Sequence, residues 1–452
     1  MERTPDLPQL PPMDPALAAQ FQEKTISVEQ AAGLVKSGQN VYIGCCTSYA
    51  RAAADAISAR SEELENVTIG CSNIIPPMSF LDCARPEAFR ISTYFMGYEE
   101  RRGLKRGNTD YTSVHLGQVD QWCRHTFHTD LAFFDVSLPD EEGYMSFGIS
   151  GCCMHPFILE EAKTVVLQIN RHAPYVTGQQ TRIHISQADY VFRADVEKET
   201  IPGGPMEEDP EIEAMSRYLL DQIPDGACIQ LGIGGVATAV GYGLMEKNDL
   251  GCHTEMMSDS IMALMKAGVI NNSRPKFIPG RTVVGFAFGT RDLYEYLDHN
   301  ERVWFGPFPV VNSPVNIAKN DNMISINTAM SIDLFGQVAA EGMGGTQFSG
   351  TGGQGDYVRG AQLSRGGKSF LAFKSTLGAG ADGAPVSRIV PYFPPATIVT
   401  TPRSDVEYVV TEYGSVNLKH LTVRDRARAL IDLAHPDCRG ELSEQAKKLG
   451  LI

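Results

Sequence analysis

The pattern G-x-x-[VI]-x-[IL]-G occurs twice in this chain, as GQNVYIG at 38–44 and as GACIQLG at 226–232. Each copy is a short apolar run that stops on glycine, followed by small residues, a helix-length segment and a second apolar run reaching Cys71 or Cys252. NVYIGC, SYARAAADAISARSEEL and NVTIGCS give this rhythm in full. Runs too short to be helices, joined by segments long enough to cross back over a sheet, are the signature of βαβ units and a parallel sheet. The expected fold class is therefore α/β, with two similar open α/β domains and the active site in the cleft between them, where paired α/β domains commonly bind ligands. The stretch TIPGGPMEEDPE at 200–211 breaks the apolar rhythm with Gly, Pro and acids before the helix-like IEAMSRYLLDQI. This places a Pro-rich arm at 1–22, an N-terminal domain at 23–205 and a C-terminal domain at 206–452.

Bulk properties exclude several functions. A formal net charge of −15 argues against a nucleic-acid binder, which neutralises many phosphates with Lys and Arg. No run of eighteen apolar residues offers a membrane span, and the N-terminus lacks the basic start and apolar core of a secretory signal. The ten cysteines are diluted in 452 residues, include the vicinal pairs Cys45-Cys46 and Cys152-Cys153, and contain no C-x-x-C. They read as reduced thiols, and the expected location is cytoplasmic.

LGCHTEMMSDS, 250–260, sets Glu255 inside an apolar run, and three chemistries compete for it. Gly232-Ile233-Gly234-Gly235-Val236-Ala237 fits G-x-G-x-x-[GA], so Glu255 can be the acid that grips the ribose of a dinucleotide. This NAD-dependent oxidoreductase reading stays open on the first cluster alone. His253-Thr254-Glu255 has the H-x-E form of zinc deaminases, but the P-C-x-x-C that completes such a site is absent, and no metal is expected. In the third reading the carboxylate attacks an activated acyl group. A Glu with a reference pKa near ~4.3 is ionised at neutral pH, yet is a weak nucleophile unless positioned and partly desolvated. Its tetrahedral oxyanion needs preorganised N–H donors, each worth roughly 3 kcal/mol. The bland alternatives are a surface or capping Glu255, a packed His253, core Met256 and Met257, and Ser258 or Asp259 as helix N-caps.

EGMGGTQFSGTGGQGDYVRG, 341–360, has glycine at eight of its twenty positions. Phe348, Tyr357, Gln347 and Gln354 interrupt the run, and strand-like MISINTA and KSFLAF flank it, so it reads as an ordered loop with exposed amides rather than a linker. An acyl-transfer site has use for such a loop as an oxyanion hole. A dinucleotide site has none, and that reading loses ground.

QLGIGG, LGCHTEMMSD, INTAMSIDLFGQV, SGTGGQGDYVRGA, SRIVP, VTEYG and RARALIDLAHPDCR, in this order, resemble the acetyl-CoA hydrolase/transferase family, in its 4-hydroxybutyrate or butyryl-CoA:acetate CoA-transferase branch. The resemblance runs from VYIG near residue 41 to the C-terminal AHP. It implies that Glu255 forms an acyl-glutamyl anhydride and then a glutamyl-CoA thioester in a ping-pong exchange. It places Gly232, Gly234 and Gly235 close to CoA, and Gly352 and Gly353 near the oxyanion. A looser part of the alignment adds Asn312, Ser349 and Lys374 as contacts for CoA or the acyl carbonyl. The partners it implies are an acyl-CoA, a short-chain carboxylate and a second copy of the chain as homodimer or higher homo-oligomer. CoA is substrate and product, and no cofactor is expected. Arg359, Arg365, Lys368 and Lys374 are candidates for the CoA phosphates. The chain departs from the family pattern at Val236-Ala237, Ser260, Tyr175 and GISGCCMH (148–155), which bears on acyl preference rather than on reaction class. An acyl-CoA hydrolase using the same Glu is the nearest alternative.

Overall fold

Each copy of the doubled pattern forms the strand at which its sheet reverses direction of growth. The computed structural model describes residues 9–204, 207–380 and 383–452. The chain divides into two compact units, residues 1–202 with 283–310, and residues 203–282 with 311–452.

In the first unit the strands are β1 (Asn40–Cys45), β2 (Val67–Ser72), β3 (Phe89–Thr93), β4 (Thr109–Tyr111), β5 (Leu131–Val136), β6 (Thr164–Asn170) and β7 (Tyr190–Ala194). They form a seven-stranded sheet in the order β4-β3-β2-β1-β5-β6-β7, with every pairing parallel. Parallel sheets are covered on both faces, which is why β5 reads LAFFDV and is buried at every position. Two helices of this unit matter below, α1 (Pro15–Lys24) and α2 (Tyr98–Arg106).

Helix α1 begins within the Pro-rich segment. Residues 1–8 lie outside the described residues, but from Pro15 the segment is helical. Asp14 caps it through Ala16 N–H at 2.8 Å, Pro15 takes the first turn, and Phe21 is buried. Proline is favoured at that first-turn position because its missing N–H would have had no partner, so the Asp-Pro pair is a helix start rather than a sign of extended chain.

The second unit carries β8 (Cys228–Leu231), β9 (Gly251–Met257), β10 (Met323–Thr328), β11 (Lys368–Ala372), β12 (Tyr408–Thr411) and β13 (Gly414–Asn417). Among these six strands the order runs β9-β8-β10-β11-β12-β13, parallel except for the closing β12–β13 hairpin. Its helices α3 (Gly235–Gly243), α4 (Asp259–Lys266) and α5 (Gln354–Leu363) each follow a strand or loop of the site.

Val283–Val310 clusters with the first unit, although the sequence reading gave it to the 206–452 domain. Its backbone explains this. Phe305 N–H donates to Thr177 O and Gln179 N–H to Phe305 O, both at 2.9 Å. Asp298 accepts from Tyr175 N–H at 2.7 Å, and the Tyr294 hydroxyl donates to Glu199 O at 2.8 Å. Pairing between segments so far apart in the chain leaves no trace in local composition. Positions 205 and 206, where the domain boundary was placed, lie outside the described residues.

Candidate active site

Because β8 has β9 on one side and β10 on the other, the connections leaving the carboxyl ends of these strands diverge, and such a switch point is where open α/β sheets bind ligands. Glu255 is on β9 close to that carboxyl end. Along GCHTEMM every residue is buried except Glu255, which keeps partial access to solvent. A strand alternates its side chains between faces, so Thr254 and Met256 pack while Glu255 points the other way.

The carboxylate is held from two directions. Asn312 Nδ2 donates to Glu255 Oε2 at 2.7 Å, and the Gly353 backbone N–H also favours the charged carboxylate. A Cβ on Gly353 would stand 1.9 Å from Glu255 Oε2 and 2.2 Å from Asn312 Nδ2. Only glycine lets the backbone approach so closely. Burial raises the Glu255 pKa to about 7, and the charge of Asp356 adds to the rise, while the bonds from Asn312 and Gly353 oppose it. Near neutral pH both protonation states are therefore populated, which suits a group that must be an anion to attack and a leaving group afterwards.

The first glycine cluster turns the chain from β8 into α3. Gly232 N–H donates to Ile326 O at 2.8 Å, pinning the turn to β10. Beneath it, Gln230 Oε1 accepts from Ser325 Oγ at 2.7 Å and Asn327 Nδ2 at 3.1 Å. Gly234 has φ +117°, a conformation L side chains rarely adopt, and Gly235 opens α3. The free N–H groups of a first helical turn favour an anion.

The second cluster is ordered, as the sequence reading expected, by the buried Glu341. Its backbone oxygen accepts from Phe348 N–H at 2.8 Å and Ser349 N–H at 3.1 Å, and its carboxylate accepts from Gln347 Nε2 at 2.9 Å and Thr351 Oγ1 at 3.3 Å. Gly342–Met343 pairs with Thr346–Gln347 as a small hairpin. The reading of 341–360 as loop throughout ends at Gln354, where α5 begins.

Glu255, Asn312 and Gly353 are thus brought together, with Gly352 next in chain. Ser349 donates to Gly350 O at 3.1 Å. Lys374 is held by Asp209 at 2.7 Å and Glu211 at 2.8 Å. Arg359 pairs with Asp405 at 2.9 Å, Arg365 with Asp321, and Lys368 bonds Gln222 Oε1 at 3.0 Å. These cations are already engaged within the unit. Asp356 and Tyr357 were missed as neighbours of the carboxylate; their signal was the helix hidden under Gly355 and Gly360. Ser258 stands at the N-cap of α4 without a side-chain cap bond, its hydroxyl meeting Ser260 Oγ at 3.0 Å.

The zinc reading fails on geometry, because both ring nitrogens of His253 are bonded to protein groups. No cluster of His, Cys, Asp and Glu that could hold a metal occurs among the described residues. No described helix is long and apolar enough to cross a membrane.

Comparison with known proteins decides the family. Residues 13–201 match the acetyl-CoA hydrolase/transferase N-terminal domain, and 289–446 match the C-terminal domain of the same name. The chain is 39% identical to succinyl-CoA:cyclohexane-1-carboxylate CoA transferase of Geobacter metallireducens, over 96% of this chain and 97% of that protein. This chain belongs to the acetyl-CoA hydrolase/transferase family. It is also 37% identical to butyryl-CoA:acetate CoA-transferase of Anaerostipes caccae, covering 95% of this chain and 97% of the relative. Among solved structures, RipA from Yersinia pestis superposes with a TM-score of 0.87 at 34% identity, over 96% of this chain and 100% of RipA. The family resemblance and the α/β class expected from the sequence both hold.

Proposed function

We propose that this enzyme moves CoA between a short-chain acyl-CoA and a free carboxylate, with Glu255 as covalent nucleophile. General CoA transfer rests on relatives that are named CoA-transferases and align over nearly the whole chain. The covalent route rests on one observation: a partly exposed carboxylate that takes a hydrogen bond from the Asn312 amide and has the Gly353 backbone set closely against it.

In the reaction, ionised Glu255 attacks the thioester carbonyl. The oxyanion collapses, the C–S bond breaks, and CoA leaves as thiolate with an acyl-glutamyl anhydride remaining. The thiolate attacks the glutamyl carbonyl, the original acid departs as carboxylate, and glutamyl-CoA thioester is left. An incoming carboxylate repeats these steps in reverse and leaves as the new acyl-CoA. Each step passes through a negative oxygen, and N–H donors placed in advance stabilise it without reorganisation. Thioester energy is conserved because water is not the acceptor. The family relatives differ in the acids they are named for, so the pair of acids used here is best found by assay.

The test is to follow an acyl-CoA with and without added carboxylate. Transfer predicts that donor is consumed only when the acid is present, one new acyl-CoA appearing for each lost, with parallel double-reciprocal plots. Release of free CoA at the same rate without acid would assign the hydrolase instead. Turnover that requires a nicotinamide and no CoA would return the oxidoreductase.

A further inference from the structure

Two residues before Glu255 on β9 lies His253, buried and uncharged, which the reaction above does not use. We propose that His253 is a positioning residue that holds the Val311–Asn312 backbone so that the Asn312 amide stays on the Glu255 carboxylate. This rests on the proposed function only for its kinetic consequence; the geometry stands without it.

The protonation pattern of the imidazole follows from its neighbours. Asn320 Oδ1 accepts from two backbone N–H groups, Lys276 at 3.1 Å and Phe277 at 3.0 Å, which fixes its Nδ2 as the donor facing His253. That donor meets Nδ1 of the ring at 3.0 Å, so Nδ1 must be the bare nitrogen and Nε2 carries the hydrogen. Nε2 then donates to Val311 O at 2.8 Å. Burial lowers the His253 pKa to about 4, so this neutral tautomer persists through the physiological range. The ring stacks on Phe277 at a centroid distance of 5.2 Å and meets Tyr357 edge-on at 6.1 Å, leaving it one orientation.

Val311 O is the carbonyl of the peptide bond that leads into Asn312, whose Nδ2 reaches Glu255 Oε2 at 2.7 Å. The Tyr357 hydroxyl reaches the same carbonyl at 3.5 Å, a weaker hold. The line therefore runs from the 276–277 backbone through Asn320, His253 and Val311 to the amide beside the nucleophile. His253 and Glu255 share a face of β9, since alternate residues of a strand do, so one strand carries both the nucleophile and the pin for its partner. The groups that act on the Glu255 carboxylate are Asn312, the Gly353 backbone and the charge of Asp356, and its own charge acts on Tyr357.

His253→Gln and His253→Asn separate this role from simple packing. Gln carries an amide N–H near the place of Nε2 and can keep the bond to Val311 O. Asn puts an acceptor near Nδ1 and keeps Asn320 while releasing Val311. A merely structural histidine predicts that both variants lose melting temperature and neither changes the site. The positioning role predicts that kcat falls about tenfold or more in His253→Asn with KM within twofold, and that His253→Gln stays within about threefold of wild type, because small displacements at reacting groups cost rate steeply. A second readout needs no turnover: labelling of Glu255 by a water-soluble carbodiimide, which modifies the protonated carboxyl. Losing the Asn312 bond removes a contact that favours the anion, so labelling in His253→Asn should persist to higher pH than in wild type or His253→Gln. Equal kcat and equal labelling profiles in the two variants overturn the proposal. If wild type shows no Glu255-dependent transfer at all, the covalent route fails while the labelling comparison still judges the role of His253.

Discussion

Two of the described glutamates, Glu100 in the first unit and Glu255 in the second, have their pKa raised by burial to about 7, and of these two only Glu255 keeps access to solvent. Glu100 is fully buried on α2, and its oxygens accept from Ile74 N–H and Gly97 N–H at 2.8 Å each. It closes a loop and caps its own helix. Glu255 keeps an opening to solvent and is met by a side-chain amide and a glycine N–H from loops. A raised pKa thus reports burial, and access together with the kind of donor separates a structural acid from the proposed nucleophile.

The sheets sharpen the contrast. Val41 and Ile229 occupy the same place in the doubled pattern, and they pair with Ile69 and Cys252. Three residues farther along each partner strand stand Ser72 and Glu255. β2 ends on that hydroxyl, whereas β9 runs on past its carboxylate to Met257.

The largest effect separating the two acids should come from Glu255→Gln, which removes the proposed nucleophile while keeping the side chain's shape. Transfer should fall roughly 10³-fold or more, whereas Ser72→Ala should leave kcat within about twofold, both read by the exchange assay. Next is Gly353→Ala, whose methyl group would occupy the space of Glu255 Oε2. A loss of about 10²-fold in kcat with a folded circular dichroism spectrum is expected.

Glu100→Gln should do the reverse. It leaves one of two buried N–H groups without its acceptor, at a cost of about 1–3 kcal/mol, seen as a lower urea midpoint with transfer per folded enzyme nearly unchanged.

The smallest effect is in pH dependence. Both acids have folded-state pKa values raised from 4.5 to about 7. Each keeps a proton in the native state that the unfolded chain has already released. The stability this confers is complete below about pH 4.5 and is lost as pH rises through about 7. Glu255→Gln and Glu100→Gln should each flatten the fall of unfolding free energy between pH 5 and 8, measured by urea titration. Activity has the opposite slope: kcat/KM of wild type should rise with pH through about 7 as Glu255 ionises.

Much of this was legible beforehand because it is written locally. The doubled glycine-ended runs became β1 and β8, and MISINTA and KSFLAF became β10 and β11. Glu255 stood out as a charge in an apolar strand. What could not be read depends on contacts distant in sequence. Asn312 reaches Glu255 across 57 residues, and Val283–Val310 joins the first unit through hydrogen bonds to residues 175–179 and Glu199. Lys374, a cation beside a glycine loop in sequence, is turned to Asp209 and Glu211. Helix α5 was masked by the glycines that let it pack, and α1 by prolines that begin it.

The most direct measurement is mass spectrometry of the enzyme after incubation with an acyl-CoA and no acceptor. Peptides are mapped after borohydride reduction or hydroxylamine capture. A CoA adduct before trapping, and a modified Glu255 afterwards, is the predicted result. An unmodified Glu255 in enzyme that is turning over, or an adduct confined to another residue, would contradict it.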